Sequence, residues 1–410
     1  MECQFREAIL AAGLSLFGPM LQQRIDQVDQ GYPPRPGQQR MGRRSLKIAT
    51  LFGEAAVSRD YYWGPEGGHC PADAALGLEG SATPALARVV TRCAAQHPYQ
   101  GASRQLAECG AIQVEERQIQ RIVQRIAPAV EPWLDQLPES RQAVPILYVS
   151  CDGTGTPMRP EVLRGRKGKQ SDGTAKTREV KLGAVFTQHG TDAEGRPVRD
   201  YQSTTYVGGY APAALFALRL REEARRRGVG CAAQVVFLSD GAAWAEDLAI
   251  QCFAGCVSIL DFYHACERLQ KLAEALGVAD IKAQVSRWKK LLLRDRIATV
   301  ITQAQALLPP STEVPDPVQE HLGFLQRHQA RMQYGTYRKN GWFIGSGVID
   351  AGCKTVVGSR LKQSGMFWSE SGAAAVLNFR TLLLSHRFDA FWAARANSHA
   401  ARNDILSLAA

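Results

Sequence analysis

The sequence contains no Cys-x-x-Cys pair, no internal repeat and no low-complexity tract, and no apolar run approaches the length of a membrane span. The ten cysteines, at positions 3, 70, 93, 109, 151, 231, 252, 256, 266 and 353, therefore read as reduced thiols, mostly buried. Cys252 and Cys256 would share a helix face, but no second pair at metal-ligand spacing accompanies them. Met1 to Phe5 are charged and interrupted, and no apolar signal-type region follows. A cytoplasmic protein with no membrane partner is expected.

What the chain does have is ordinary globular composition and a positive charge. It is 410 residues long, with 45% hydrophobic and 21% charged residues, enough for about two to four compact units. Its 49 Lys and Arg against 39 Asp and Glu give a net charge of +10, which favours a polyanionic partner, nucleic acid first.

Five regions are expected. Residues 1–80 hold a helix from Glu2 to about Asp29, a Pro-, Gly- and Gln-rich linker from Gly31 to Arg40, and two short strands around Ser45–Leu51 and Ala55–Tyr62. Residues 81–140 read as three helices, the last from about Glu115 to Ile126. A helix, a short turn at Gly110 and a second helix form a helix-turn-helix pattern; a small bundle that binds nothing fits the same residues. If the third helix docks on DNA, Arg117, Gln118, Arg121 and Gln124 are its exposed candidates.

Residues 141–264 change texture to α/β, with near-continuous apolar strands and a mixed sheet. Residues 265–340 are amphipathic helices broken at Pro309-Pro310 and Pro315–Pro317. Residues 341–410 return to the core with a helix bearing Asp350.

Three apolar strands each run into an aspartate: Asp152, Asp240 and Asp261. Ligand sites collect at the carboxyl ends of strands in open α/β sheets. Carboxylates gathered there repel one another unless a cation intervenes, and hard oxygen ligands suit Mg²⁺ or Mn²⁺. Two such ions clamp the attacking and leaving oxygens of an in-line phosphoryl transfer. A turn or helix cap explains any single strand-end Asp equally well. Asp350 lies early in a helix, Lys354 follows one turn on, and Arg360 and Lys362 come within two more turns; this series would hold metal and track a DNA backbone, or else form a plain surface ion pair. His264, three residues after Asp261, is a candidate DNA-handling group or a hydrogen-bonded core histidine. Arg164, Arg166, Lys167, Lys169, Lys176, Arg178 and Lys181 make the segment after Asp152 a basic loop, either merely solvated or in contact with phosphate.

These blocks resemble a known family. Tyr148–Thr154, Leu238–Ala242, Leu260–His264, Ile344–Lys354 and Arg360–Trp368 are similar to segments of bacterial DDE transposases, in particular the ISKra-type insertion-sequence group and, more distantly, Mutator-like transposases. The likeness runs from about residue 45 to about residue 392. It implies an RNase H-like mixed-sheet catalytic core with a helical insertion, preceded by a mostly helical N-terminal DNA-binding region. It implies metal-dependent cutting and joining at element ends, with Asp152 and Asp240 as the first two acids, 88 residues apart, and Asp350, a further 110 on, in the position usually held by Glu. Two Mg²⁺ or Mn²⁺ ions, terminal inverted repeats and target DNA as partners, and a homo-oligomer on DNA follow from the same resemblance. A nuclease without strand transfer and an inactive DNA-binding regulator are the competing functions. The family's paired cysteines are replaced here by Trp63–Cys70, where one Cys and one His cannot complete a tetrahedral site, so no structural zinc is expected.

Overall fold

Leu14, Phe17, Leu21, Ile25 and Val28 recur at three- and four-residue spacing and form one face of a long first helix, α1 (Glu2–Gly31). That face packs on an antiparallel meander of β1 (Gln39–Thr50), β2 (Gly53–Gly64) and β3 (Gly67–His69), burying Ile48, Ala55 and Val57. The short α2 (Pro71–Ala75) follows, then α3 (Pro84–Gln96), α4 (Tyr99–Gly110), α5 (Glu116–Ile126) and α6 (Val130–Asp135). Thr83 accepts the Leu86 N–H and a proline opens α3, as the sequence predicts.

The computed structural model describes residues 1–168, 170–308 and 314–408. The chain divides into two units: residues 1–136 with 368–410, and residues 137–367. Lys169 and the Pro309-Pro310 break lie outside the described residues.

The second unit is built on a mixed sheet. β4 (Val144–Pro157) runs antiparallel to β5 (Thr177–Thr191), which pairs with β6 (Pro197–Arg199) and β7 (Thr205–Gly209), both antiparallel. On its other side β4 lies parallel to β8 (Ala232–Ser239), and β8 parallel to β9 (Val257–Leu260), so the order across the sheet is β7-β5-β4-β8-β9. Leu147, Tyr148 and Val149 are buried, as are Val236, Phe237 and Leu238, because both faces are covered. One face carries α8 (Ala213–Arg226) and α9 (Ala243–Cys252), whose Phe216, Leu220 and Leu248 meet Val149 and Phe237. On the other face Tyr148 stacks on Phe186, with Phe343 edge-on to both.

After β9 come α10 (Phe262–Ala275), α11 (Ile281–Leu292), α12 (Ile297–Ala306), α13 (Asp316–His328) and α14 (Tyr334–Lys339), an all-helical stretch inserted between β9 and the return to the sheet. The chain then returns to the sheet through α15 (Gly347–Gly352), a π-helical turn over Cys353–Gly358, and α16 (Ser359–Leu361). α17 (Glu370–Leu384) and α18 (Phe388–Leu408) belong to the first unit.

This corrects the expected boundaries. Residues 1–80 and 81–140 do not separate, and 341–410 is not one piece. α17 is apolar nearly all round and buries Ala373, Val376, Leu377 and Phe379, packing on α3 and α5 of the first unit. The break comes at Phe367/Trp368.

Candidate active site

Asp152 and Asp240 occupy matching places on the two central parallel strands. Ser150 pairs with Leu238 in the β4–β8 register, and each acid stands two residues beyond its member of that pair. Neighbouring strands lie about 4.8 Å apart, so the two carboxylates are neighbours where β8 ends; contrary to expectation, Asp152 does not end its own strand, because β4 runs on to Pro157 against β5. Asp240 follows β8 directly and accepts the Ala242 N–H at 2.9 Å, while Asp152 accepts the N–H of Gly153 at 2.6 Å. Burial raises the Asp152 carboxyl above its usual range, and the negative charges of Asp240 and Asp350 push it further the same way.

Asp350 approaches this point from α15. Its carboxylate accepts the Ser346 hydroxyl at 3.1–3.2 Å, so Ser346 holds the acid instead of capping helix N–H groups. Burial raises the Asp350 carboxyl, opposed by the Ser346 hydrogen bond. Three residues on, the buried Cys353 thiol donates to Asp152 Oδ2 at 3.5 Å, joining the helix to the first acid. The close approach depends on Gly352, where a Cβ would stand 2.8 Å from the Tyr206 ring and 3.2 Å from Leu182. At the start of α15 Gly345 is also closely packed, a Cβ there standing 2.9 Å from the Tyr263 ring, whereas Gly347 has open space around it.

Among the described residues, no cationic side chain forms an ion pair with Asp152, Asp240 or Asp350. Nor, among the described residues, do any three His, Cys, Asp or Glu side chains form a group that could hold a metal ion. Half-buried carboxylates that repel one another and lack a protein cation match the donor set of Mg²⁺, which is held by one or two carboxylates together with substrate phosphates.

Asp261 has a different task. Fully buried at the start of α10, it accepts the His264 N–H at 2.7 Å, the His264 ring at 3.1 Å and the Ser346 N–H. Burial pushes its carboxyl up, but the His264 and Ser346 hydrogen bonds outweigh it and hold the group below its usual range. It therefore ties α10 to the start of α15, next to the residue that orients Asp350. The Asp261 hydrogen bond raises the His264 imidazole from 6.5 to about 9, against partial burial and with help from the charges of Asp261 and Asp240. A raised histidine contributes stability in full below its unfolded pKa and loses it as pH rises through the folded value. Thermal midpoints of the parent and His264→Ala, compared from about pH 6 to 10, should thus differ most at the acid end and converge above about pH 9. A constant gap would mean that the pair is not charged.

Two groups in the insertion went unnoticed in the sequence. Arg331, just beyond α13, is buried and donates to Ser239 Oγ at 2.7 Å, one residue before Asp240. It also lies 3.7 Å from Glu246 and 3.3 Å from His328 Nδ1. Tyr334 donates its hydroxyl to the Leu260 carbonyl at 3.0 Å, one residue before Asp261. The insertion thus holds the ends of β8 and β9. A buried Arg among helical residues is the only signal, and it carries no address.

The predicted DNA contacts divide. Lys354 is exposed on the π turn, and Lys362 is exposed with its ammonium on Thr154 Oγ1, two residues past Asp152 on β4. Arg164, Arg166 and Lys167 are exposed in the β4–β5 connection, which carries the short α7 (Pro160–Leu163) and a bridge from Lys167 to Thr174. Arg178, by contrast, lies within β5 and donates to the Tyr210 carbonyl at 3.1 Å.

Arg360 contradicts its expected role. It is 1% exposed, with Nη1 3.7 Å from the Met366 sulfur, and no phosphate can reach it. The wide π turn between Asp350 and Arg360 breaks the 3.6-residue count and turns the guanidinium inward.

In the first unit Arg117 and Arg121 are exposed on α5 and, with Gln118 and Arg125, line a cleft of about 1080 Å³. Arg125, one more turn along, extends the row and was missed. Gln124 turns away, its amide 3.6 Å from where a Cβ on Gly372 would stand. Glu54, Glu79 and Glu115 share the cleft, so its lining is mixed in sign. His69 meets the Tyr32 hydroxyl at 3.1 Å, and Cys70 is buried at the start of α2.

No protein-family model and no curated protein matches the chain. Among solved structures it is similar to a strand transfer complex of the Drosophila P element transposase, at 9% identity and a TM-score of 0.21, over 73% of this chain and 79% of that one. A likeness this slight bears neither on fold nor on chemistry. No helix of the described residues is long and apolar enough to cross a membrane.

Proposed function

We propose that the second unit is an RNase H-like core that cuts and joins DNA strands with divalent metal, as an insertion-sequence transposase. One observation carries the reading: Asp152 and Asp240, distant in sequence, stand at matching register on adjacent parallel strands of a sheet ordered β7-β5-β4-β8-β9 with only β5 reversed, and Asp350 on α15 is near enough for its charge to act on Asp152. Substrate DNA is supported by the net charge of +10 and by exposed Arg164, Arg166, Lys167, Lys354 and Lys362 in the same unit. Strand transfer, as against simple cleavage, rests on the motif resemblance at residues 344–368.

In this reading Asp152 and Asp240 hold Mg²⁺ or Mn²⁺, and Asp350 completes the set. The metal, when bound, would stabilise charge on the phosphate oxygens and sharpen the attacking hydroxyl as a nucleophile. Ser346 aims Asp350, and Cys353 fixes the rotamer of Asp152. Protonated His264 and the ammonium groups of Lys354 and Lys362 bind the phosphates flanking the cut. The α5 arginines of the first unit bind element ends.

The decisive measurement is cleavage and joining of end-containing DNA against Mg²⁺ and Mn²⁺ concentration, for the parent, Asp350→Glu, Asp350→Ala and Glu370→Ala. Asp350→Ala should lose activity, and Asp350→Glu should keep or raise it at lower metal. Glu370 opens α17 in the first unit, beside the capping Ser369, and its replacement should matter little. Inactivity confined to Glu370→Ala would show the third acid to be misassigned. Cleavage without joined products would leave a nuclease.

A further inference from the structure

α1 has a second apolar face that none of the described residues covers. Phe5 is 68% exposed, Ile9 55%, Leu16 70% and Met20 65%. With Ala12 these residues fall within about 80° of one another around the helix at 100° per residue. The packed face, Leu14, Leu21, Ile25 and Val28, points the opposite way. Every residue from Met1 to Ile9 is exposed, and helical turns without packing are marginal in water. Helix formation there calls for a cover.

We propose that the cover is α1 of a second copy of this chain, laid antiparallel across it. The stripe is self-complementary in that direction: with the two-fold axis near Ala12, Phe5 meets the second copy's Met20, and Ile9 meets its Leu16. The charges agree, since Glu2 comes beside the second copy's Arg24. A parallel pairing would set Glu2 against Glu2 and Arg24 against Arg24. A receiving site also exists. Beside Met20 and Arg24 lies an apolar groove of about 490 Å³, lined by Phe17, Leu21, Phe52, Leu76 and Leu78. The antiparallel arrangement delivers Phe5 of the second copy to the edge of that groove. An aromatic anchor in a pocket at each end of a two-fold helix pair is how small interfaces gain strength. The dimer does not depend on metal, on DNA or on the reading of the acid cluster.

The test is sedimentation equilibrium of the full chain without DNA. The parent should be a dimer. Leu16→Asp buries a charge at the seam and should raise the dimer dissociation constant by roughly tenfold or more. Residue 16 is exposed in the single chain, so the variant should keep the parent's far-ultraviolet circular dichroism. Glu2→Arg and Arg24→Glu should each weaken the dimer, and the two together should restore it. A parent that stays monomeric at tens of micromolar overturns the proposal, as does a dimer indifferent to Leu16→Asp. A monomer whose melting point drops with Leu16→Asp would show that the chain covers the stripe itself. Failure of the paired charge reversal to rescue would refute the antiparallel arrangement.

Discussion

Replacing Asp152 with Asn is expected to lower metal-dependent DNA cleavage by about a thousandfold or more, the usual scale for removing a central catalytic group. Asp240→Asn should do the same. DNA affinity in the absence of metal should change little, because neither carboxylate is placed to bind phosphate without a cation. A second readout distinguishes this from damage to the fold. Burial and the charges of Asp240 and Asp350 disfavour the charged form of Asp152. Removing the charge relieves that repulsion, so metal-free Asp152→Asn should melt no lower than the parent. Added Mg²⁺ should raise the parent's melting temperature and leave that of Asp152→Asn nearly unchanged. An Asp152→Asn protein that cleaves normally, or that gains the full Mg²⁺ stabilisation, would remove Asp152 from the site.

The second large effect is expected at Arg331. Its guanidinium is buried against Ser239 Oγ, with Glu246 and His328 beside it. Arg331→Met leaves the buried Ser239 hydroxyl and the Glu246 carboxylate without that donor. Removing one partner from a fully buried pair costs about 3–5 kcal/mol; Glu246 is partly exposed and can be rehydrated, so about 2–3 kcal/mol is expected. For a unit of this size that corresponds to a fall of roughly 5–10 °C in melting temperature. Because Ser239 adjoins Asp240, activity at temperatures where the variant is folded should also fall, with a raised metal requirement. Unchanged metal dependence in the folded variant would confine Arg331 to stability.

The strand ends were legible because their physics is local. An apolar run buried on both faces, followed by Asp-Gly or Asp-Phe, announces itself without knowledge of its neighbours; Asp240 and Asp261 stand just past β8 and β9, but β4 runs on through Asp152 to Pro157, because its pairing with β5 and not the local pattern sets where it stops. Asp350 was legible from its place early in a helix with Lys354 one turn on and from the resemblance at residues 344–354, but Gly352, which admits the helix to the sheet, went unread. The failures share one cause, action at a distance from the local pattern. Arg360 was placed on an exposed face by counting 3.6 residues per turn through a π turn that no residue type marks. Gln124 lies one helical position from the cleft face, and only α17, more than 200 residues downstream, decides which way it points. The division of labour between Asp240 and Asp261 could not be read either. Both follow strands, but only Asp261 is used up by the His264 and Ser346 hydrogen bonds.

The chain leaves the first unit after Gln136 and rejoins it at Trp368. A ribosome adding about 5–20 residues per second would thus emit the whole of the second unit, for roughly 10–50 s, before the helix that covers α3 and α5 becomes available. During that interval α3 and α5 lack their α17 partner, while the acid-bearing sheet can already close. Nascent chains would therefore complete the acid-bearing sheet before α17 packs on α3 and α5. A transcript or chain broken shortly after Phe367 would leave the first unit unfinished and sticky, a species destined for chaperones or proteolysis.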